Sequence, residues 1–462
     1  MSTDREAVVW TRLPPANGSA DTTPQRMGRL YVTDRECRFT YDEDFLASGL
    51  PGIGLVYAPD YFGNTTIVRE RSERFDLLPP LQSLIPPRDA DNFQRNLALK
   101  YLTRQGMNNL SGFDADWEIL KISGHGGIGH LDVFANDQAA ESWYGNIPAH
   151  SLHPVTDELS FSLKEFMTWF DDDLDVLIQT VGPTPSVGGA IPKLLLSIPA
   201  SGWDGRIGLP TRQPTPGVTD VVLKFEQTTR YPGIIELEAL ALDIHREAGF
   251  EVPRHWLCRF KDMPALAVER FDRDRHNLPV FTETLFSILA SGAPLSNHYD
   301  YRYDLIAQAI DTSAVSIVSQ HTQAKQHLFR RFVLALLTGN GDLHLENLSI
   351  VQQGDVRRFS SVYDPAPMRA YSQHDMLSVM PFGGYGEMPE GHEQPVSLER
   401  ALRNFAGACG LNATQTDDTL QQLLQVTRDY TQRLGALPSV PEANRERLIT
   451  RVQQIRKQLA SA

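Results

Sequence analysis

The sequence predicts an α+β protein, with strands concentrated early and helices late. Three observations carry this. Short apolar runs broken by turn residues open the chain, and two apolar strands flank a loop rich in Gly, Pro and Thr near its middle. Apolar residues at three- and four-residue spacing dominate its end.

Taken in order, Val8–Trp10, Leu30–Val32, Arg38–Tyr41 and Gly54–Tyr57 read as strands. A helix is expected over roughly Asp91–Gln105. It is followed by a glycine-rich passage, Ser123-Gly-His-Gly-Gly-Ile-Gly129, which lacks the strand-then-helix context of a phosphate loop and reads as a tight structural turn. The segment Ser186-Val-Gly-Gly-Ala-Ile-Pro-Lys193 then leads into a strand, Leu194–Ile198. Beyond the loop Ser201–Thr219 lies a second strand, Val221-Val-Leu-Lys-Phe225. A helix over Ile234–Ala248 ends at Gly249, with Pro253 shortly beyond. Ala265–Arg270 reads as another strand, with Glu269 and Phe271 at its end. Tyr303–Ile310, Gln323–Leu337, Leu398–Ala408, Asp417–Leu434 and Glu442–Leu459 read as helices packed on one face. The expected partition is a β-rich subdomain over 1–150, a nucleotide-binding lobe over 151–273 and a helical lobe over 274–462, with a nucleotide cleft between lobes.

The 462 residues are 41% hydrophobic and 22% charged, which excludes a wholly disordered chain. Against 57 acidic side chains stand 43 basic ones, a net charge of −14. Such a chain does not attract nucleic acid through its overall field, so contact with DNA is expected only through a partner. The polar N-terminus and the absence of long apolar runs lead to the expectation of a soluble, cytoplasmic protein with no membrane contact. Cys37, Cys258 and Cys409 are widely spaced and read as reduced structural thiols. The 13 histidines contain no His-x-x-x-His or His-Glu-x-x-His pattern, so no zinc site is expected.

Chemistry concentrates in Gly339-Asn-Gly-Asp-Leu-His-Leu-Glu-Asn347, followed by Val362-Tyr-Asp364. Phosphoryl transfer needs a carboxylate to orient a nucleophile and take its proton, together with oxygen ligands that hold Mg2+ against phosphates. Asp342 suits the first role; Asn347 and Asp364 suit the second. Singly, each also fits a turn cap. The ordered combination points to ATP- and Mg2+-dependent chemistry. His344, inside the loop, is expected to pack beneath the site and orient the aspartate. Lys224 lies in an apolar strand, where a cation needs a partner; it suits the α- and β-phosphates, with Glu238 the preferred ion-pair partner over Glu236. Gly188 and Gly189 would let backbone amides approach phosphate oxygens, Ser186 offers a hydroxyl nearby, and Ala190 in the same loop is counted with the nucleotide-binding positions.

With these residues in view, the chain resembles the HipA family of bacterial serine/threonine kinase toxins. Ser186–Lys193 is similar to the family's Ser-x-x-Gly-Ala-x-x-Lys loop, and Val221–Phe225 to its phosphate-lysine strand. Ala267-Val-Glu-Arg-Phe-Asp-Arg273 matches its adenine hinge, and Asp342–Asn347 with Tyr363-Asp364 its catalytic and metal-binding loops. The resemblance implies a two-lobed, protein-kinase-like fold. It makes Asp342 the base, Asn347 and Asp364 the magnesium ligands, Lys224 a phosphate contact, and the backbone at Glu269 and Phe271 the adenine site. Ser186 falls where members phosphorylate themselves, an event that ejects the loop; the added charge would repel it from a site already holding phosphates. The implied partners are a HipB-like antitoxin and a protein acceptor such as an aminoacyl-tRNA synthetase. Two departures bear on the acceptor. Glu346 stands where the family commonly has a basic residue, and Arg275–Ser291 lacks a His-x-Glu-Asp-Phe-like stretch.

Two other readings remain open on sequence alone. The loop Gly341–Asn347 is also similar to that of aminoglycoside and choline phosphotransferases. A catalytically weak co-repressor working with a DNA-binding antitoxin is the third.

Overall fold

The alternation of apolar and polar residues at the start of the chain produces a meander. In the computed structural model, which describes residues 4–14, 23–90, 92–147, 149–155, 192–226, 229–260, 263–386 and 395–460, the strand Arg5–Thr11 pairs antiparallel with Gln25–Val32, which pairs with Glu36–Tyr41 and then with Ile67–Glu70. The short strand Asp132–Phe134 closes the other edge. Gly54–Tyr57, expected as a strand, is a turn. Leu55 and Tyr57 are buried as the pattern suggested, but the segment closes on itself, Tyr57 N–H donating to Gly54 O (3.2 Å), and neighbouring amides go to side chains instead of to a strand. Ile53 N–H donates to the Tyr41 hydroxyl (2.9 Å) and Leu55 N–H to Glu283 Oε2 (2.7 Å).

The second sheet runs His255–Phe260, Met263–Glu269, Val218–Phe225, Lys193–Pro199, antiparallel throughout. Leu194, Leu196, Ile198, Val221, Leu223, Phe225, Ala265 and Ala267 pack with Leu97 into one core. Leu97 lies on the helix Phe93–Arg104, capped by Asn92, whose side chain accepts from Arg95 N–H. The glycine-rich passage is the structural turn expected of it. Its carbonyls receive two buried guanidiniums, Arg270 on Gly126 (3.2 Å) and Arg273 on Gly127 and Gly129 (3.1 Å each). Asp272, between them, accepts from Gly129 N–H at 2.8 Å. Burial opposes ionisation of Asp272, but the two arginines hold its carboxyl below the usual range. Part of the hinge-like segment Ala267–Arg273 therefore serves to brace the turn.

By contact, the chain divides into two compact units. One comprises Met1–Glu226, Arg254–Pro294 and Val351–Asp355; the other Gln227–Pro253, Leu295–Ile350 and Val356–Ala462. Both of these sheets belong to the first unit. The second is built mainly from helices: Ile234–Glu247, Tyr303–Thr312, His321–Thr338, Leu398–Ala408, Ala413–Val426, Tyr430–Gly435 and Glu442–Ala460. The expected single helix Asp417–Leu434 is two, because Arg456 from the last helix caps the first by donating to Leu424 O (2.9 Å) and Thr427 O (3.0 Å). The strand-rich first unit and helix-rich second unit bear out the α+β class. Among the described residues, no helix is long and apolar enough to cross a membrane. All three cysteines are buried free thiols.

Buried neutral histidines make the fold acid-sensitive. Burial lowers His130 to about 4. Burial first, and the Arg331 guanidinium second, hold His245 well below its ordinary value. In the unfolded chain both protonate near pH 6.5, so stability is complete above that pH. It then falls by about 1.4 kcal/mol per pH unit for each histidine as the pH drops toward the folded values. Thermal melts at pH 7.5, 6 and 5 should show a falling Tm, and His245→Gln should flatten the slope. A pH-independent Tm would refute this.

Candidate active site

The helix His321–Thr338 ends because Gly339 adopts φ +73, a left-handed conformation that a Cβ would strain. The chain beyond it is held almost entirely through backbone. Gly339 O and Asn340 O accept from Arg369 N–H (3.1 Å) and Met368 N–H (3.0 Å). Asn340 is fully buried, and its Oδ1 accepts from Asp342 N–H at 2.9 Å. Gly341 takes φ +67; a Cβ there would lie 2.7 Å from Arg369 Cγ, so only glycine fits. Asp342 follows, half-buried. The buried Tyr303 hydroxyl donates to Leu343 O.

A single 3-10 turn, Leu345–Asn347, then swings Asn347 back toward Asp342. Asn347 Nδ2 donates to Asp342 O at 2.9 Å, which fixes the orientation of the amide. Its Oδ1 is buried and, among the described residues, receives no hydrogen bond. A buried carbonyl oxygen without a donor is costly, and a hard cation is the group that would satisfy it. On this observation the loop fits a Mg2+ ligand set.

Asp364 reaches the same loop through its neighbour. The Tyr363 hydroxyl donates to Glu346 O at 2.5 Å and lies 2.7 Å from Ser349 Oγ. Burial pushes the Tyr363 phenol far above its ordinary value, so it stays a donor. Asp364 itself is held at φ +50, a conformation few non-glycine residues adopt and one that clusters at functional sites. Arg331, wholly buried and lowered to about 10 by desolvation, still carries its charge at neutral pH. It bonds to His245 and approaches Tyr363 O at 3.5 Å. The structure thus joins Asp342, His344, Asn347 and the Asp364 turn in one hydrogen-bonded assembly. His344 acts locally: its Nδ1 accepts from Glu346 N–H at 3.2 Å. In the same unit, Glu238 is fully buried on the helix Ile234–Glu247.

In the other unit, Lys224 is buried in the strand Val218–Phe225. The register sets it directly opposite Lys193, which is equally buried. Residues opposite each other in an antiparallel pair share a face, and like charges there repel. The register thus puts two lysines on one face of the sheet. Lys193 ends the Ser186–Lys193 motif, but its position opposite Lys224 depends on register, which no local pattern encodes. Glu269 is half-buried, its carboxylate on Arg254 (2.6 Å) and its N–H on Arg254 O (2.9 Å); Phe271 follows the strand. Ser186, Gly188, Gly189 and Ala190 lie outside the described residues.

Comparison with known proteins adds the family context. The family described as HipA-like C-terminal domain matches residues 185–431. A Haemophilus influenzae protein described as "Putative kinase" is 28% identical over 246 residues, covering 49% of this chain and 64% of that one, so the chain spans under two thirds of that relative's length. A chain from the Shewanella oneidensis MR-1 toxin–antitoxin complex of HipA, HipB and operator DNA superposes with a TM-score of 0.61. It shares 17% identity over 95% of both chains, a likeness of fold.

Proposed function

The chain belongs to the family of HipA-like C-terminal domains, and from that premise we propose that it is an ATP-dependent serine/threonine protein kinase. The observation that carries the reading is the Asn347 amide. Its nitrogen is anchored on Asp342 O, while its buried oxygen is left to a cation. Asn347 and Asp364 would hold Mg2+, which when bound neutralises phosphate charge. Asp342 accepts the proton of the acceptor hydroxyl, and its backbone bonds keep the carboxylate in register with Asn347. Lys224, with Lys193 opposite, provides cationic charge for the phosphates. The backbone at Glu269 and Phe271 takes the adenine. His344 keeps the loop turn in place.

The acceptor in this reading is a protein, with an aminoacyl-tRNA synthetase the class the resemblance suggests, and Ser186 is a second target within the chain. An antitoxin-like protein partner is proposed by analogy with the Shewanella assembly. The charge of −14 supports DNA contact only through such a partner.

Purified protein incubated with γ-labelled ATP and Mg2+ should incorporate label, and mass spectrometry should place phosphate on Ser186. Phosphate elsewhere would withdraw Ser186 alone; an absence of nucleotide binding would overturn the kinase reading. Lys224→Ala should raise the KM for ATP by roughly 10- to 100-fold, the value of a charge-assisted hydrogen bond of about 1.5–3 kcal/mol. An unchanged KM would remove Lys224 from the nucleotide site.

A further inference from the structure

We propose that His298, His344 and Glu346 form a binding site for a divalent transition-metal ion of the zinc class. The proposal stands on the geometry of these three side chains and does not depend on the kinase reading. One ligand atom from each lies within 4.8 Å of the others, and all three residues are buried, at 7%, 2% and 8% exposure. His298 Nδ1 is 3.7 Å from Glu346 Oε2. That is beyond hydrogen-bond length, yet close to the spacing of two donors on one ion. Bonds of about 2.0–2.1 Å at tetrahedral angles place donors roughly 3.4 Å apart.

The donor set selects the metal. Two imidazoles and one carboxylate are borderline ligands that suit zinc and its neighbours, whereas magnesium prefers oxygen donors and retained waters. Three protein ligands leave a fourth position for water, and Tyr299, 41% exposed, packs against the cluster. Its ring lies 4.0 Å from that of His298 and edge-on to His344 at 5.2 Å.

The bond from Glu346 N–H to His344 Nδ1 bears on which nitrogen binds. Accepting that bond requires the ring proton on Nε2, so Nδ1 is the lone-pair nitrogen. A metal at Nδ1 exchanges a long, 3.2 Å hydrogen bond for a coordinate bond with no change of tautomer. Leu345 N–H already donates to His298 O at 3.3 Å. An ion held here would add a second clasp between the His298 segment and the loop carrying Asp342 and Asn347.

The test is direct binding. Chelator-stripped full-length protein, checked by circular dichroism, is titrated with Zn2+ against a chromophoric chelator in excess Mg2+. One Zn2+ per chain is expected. His298→Ala and Glu346→Gln should each weaken it by about tenfold or more, and Asp364→Asn should leave it unchanged. Co2+ should give the intense visible bands of a tetrahedral N/O site in the wild type and lose them in both ligand variants. Should His298→Ala fail to fold, Glu346→Gln keeps the side-chain volume and carries the comparison. Absence of stoichiometric Zn2+, equal affinity in Glu346→Gln, or an equal loss in Asp364→Asn overturns the site.

Discussion

Asp342→Asn will reduce phosphoryl transfer by about 10²- to 10⁴-fold while leaving ATP affinity within a few-fold of wild type. The expectation follows from what the substitution changes. Asparagine keeps the shape of the side chain but cannot take up the acceptor's proton, and general-base catalysis contributes about that factor. The loop itself should survive, because the bonds that set it run through the Asp342 backbone: its N–H to Asn340 Oδ1 and its carbonyl from Asn347 Nδ2, both at 2.9 Å. The measurement is single-turnover transfer from labelled ATP, with nucleotide affinity determined separately and Tm as the control. Activity within tenfold of wild type would mean that Asp342 is not the base. A collapse of Tm would instead assign it a structural role.

The loop holding Asp342 was readable in the sequence because its determinants are local. A glycine stops the helix, and a carboxylate and an amide five residues apart are brought together by one 3-10 turn. Elements whose amides are satisfied locally were equally readable. Leu398–Ala408 has its expected bounds, with Ser397 capping its first turn. What the sequence hid was decided at long range. Gly54–Tyr57 has the composition of a strand, but Glu283, 228 residues away, takes its amide. The break after Val426 depends on Arg456 reaching back from the final helix. Lys193 acquires meaning only from the register that sets it against Lys224. His298 lies 46 residues before His344, so no spacing rule for helical zinc motifs could pair them.

Asp364 allows charge and backbone to be tested separately. At φ +50 the residue sits where a β-carbon costs about 1–2 kcal/mol and where Asp and Asn, able to bond locally, are the best tolerated after glycine. Asp364→Asn therefore keeps the backbone preference and removes the charge. Activity should fall by roughly 100-fold or more, and the Mg2+ concentration for half-maximal rate should rise, with Tm nearly unchanged. Asp364→Ala should lose at least as much activity and also about 1 kcal/mol of stability. Asp364→Gly should recover that stability and none of the activity. The Tyr363 hydroxyl bond to Glu346 O ties this turn to the Asn347 loop irrespective of the side chain at 364, so all three variants retain the anchor and differ only at the carboxylate and its φ. Wild-type activity of Asp364→Asn at limiting Mg2+ would remove Asp364 from the metal site. Equal Tm values for Asp364→Ala and Asp364→Gly would show that the left-handed backbone carries no strain.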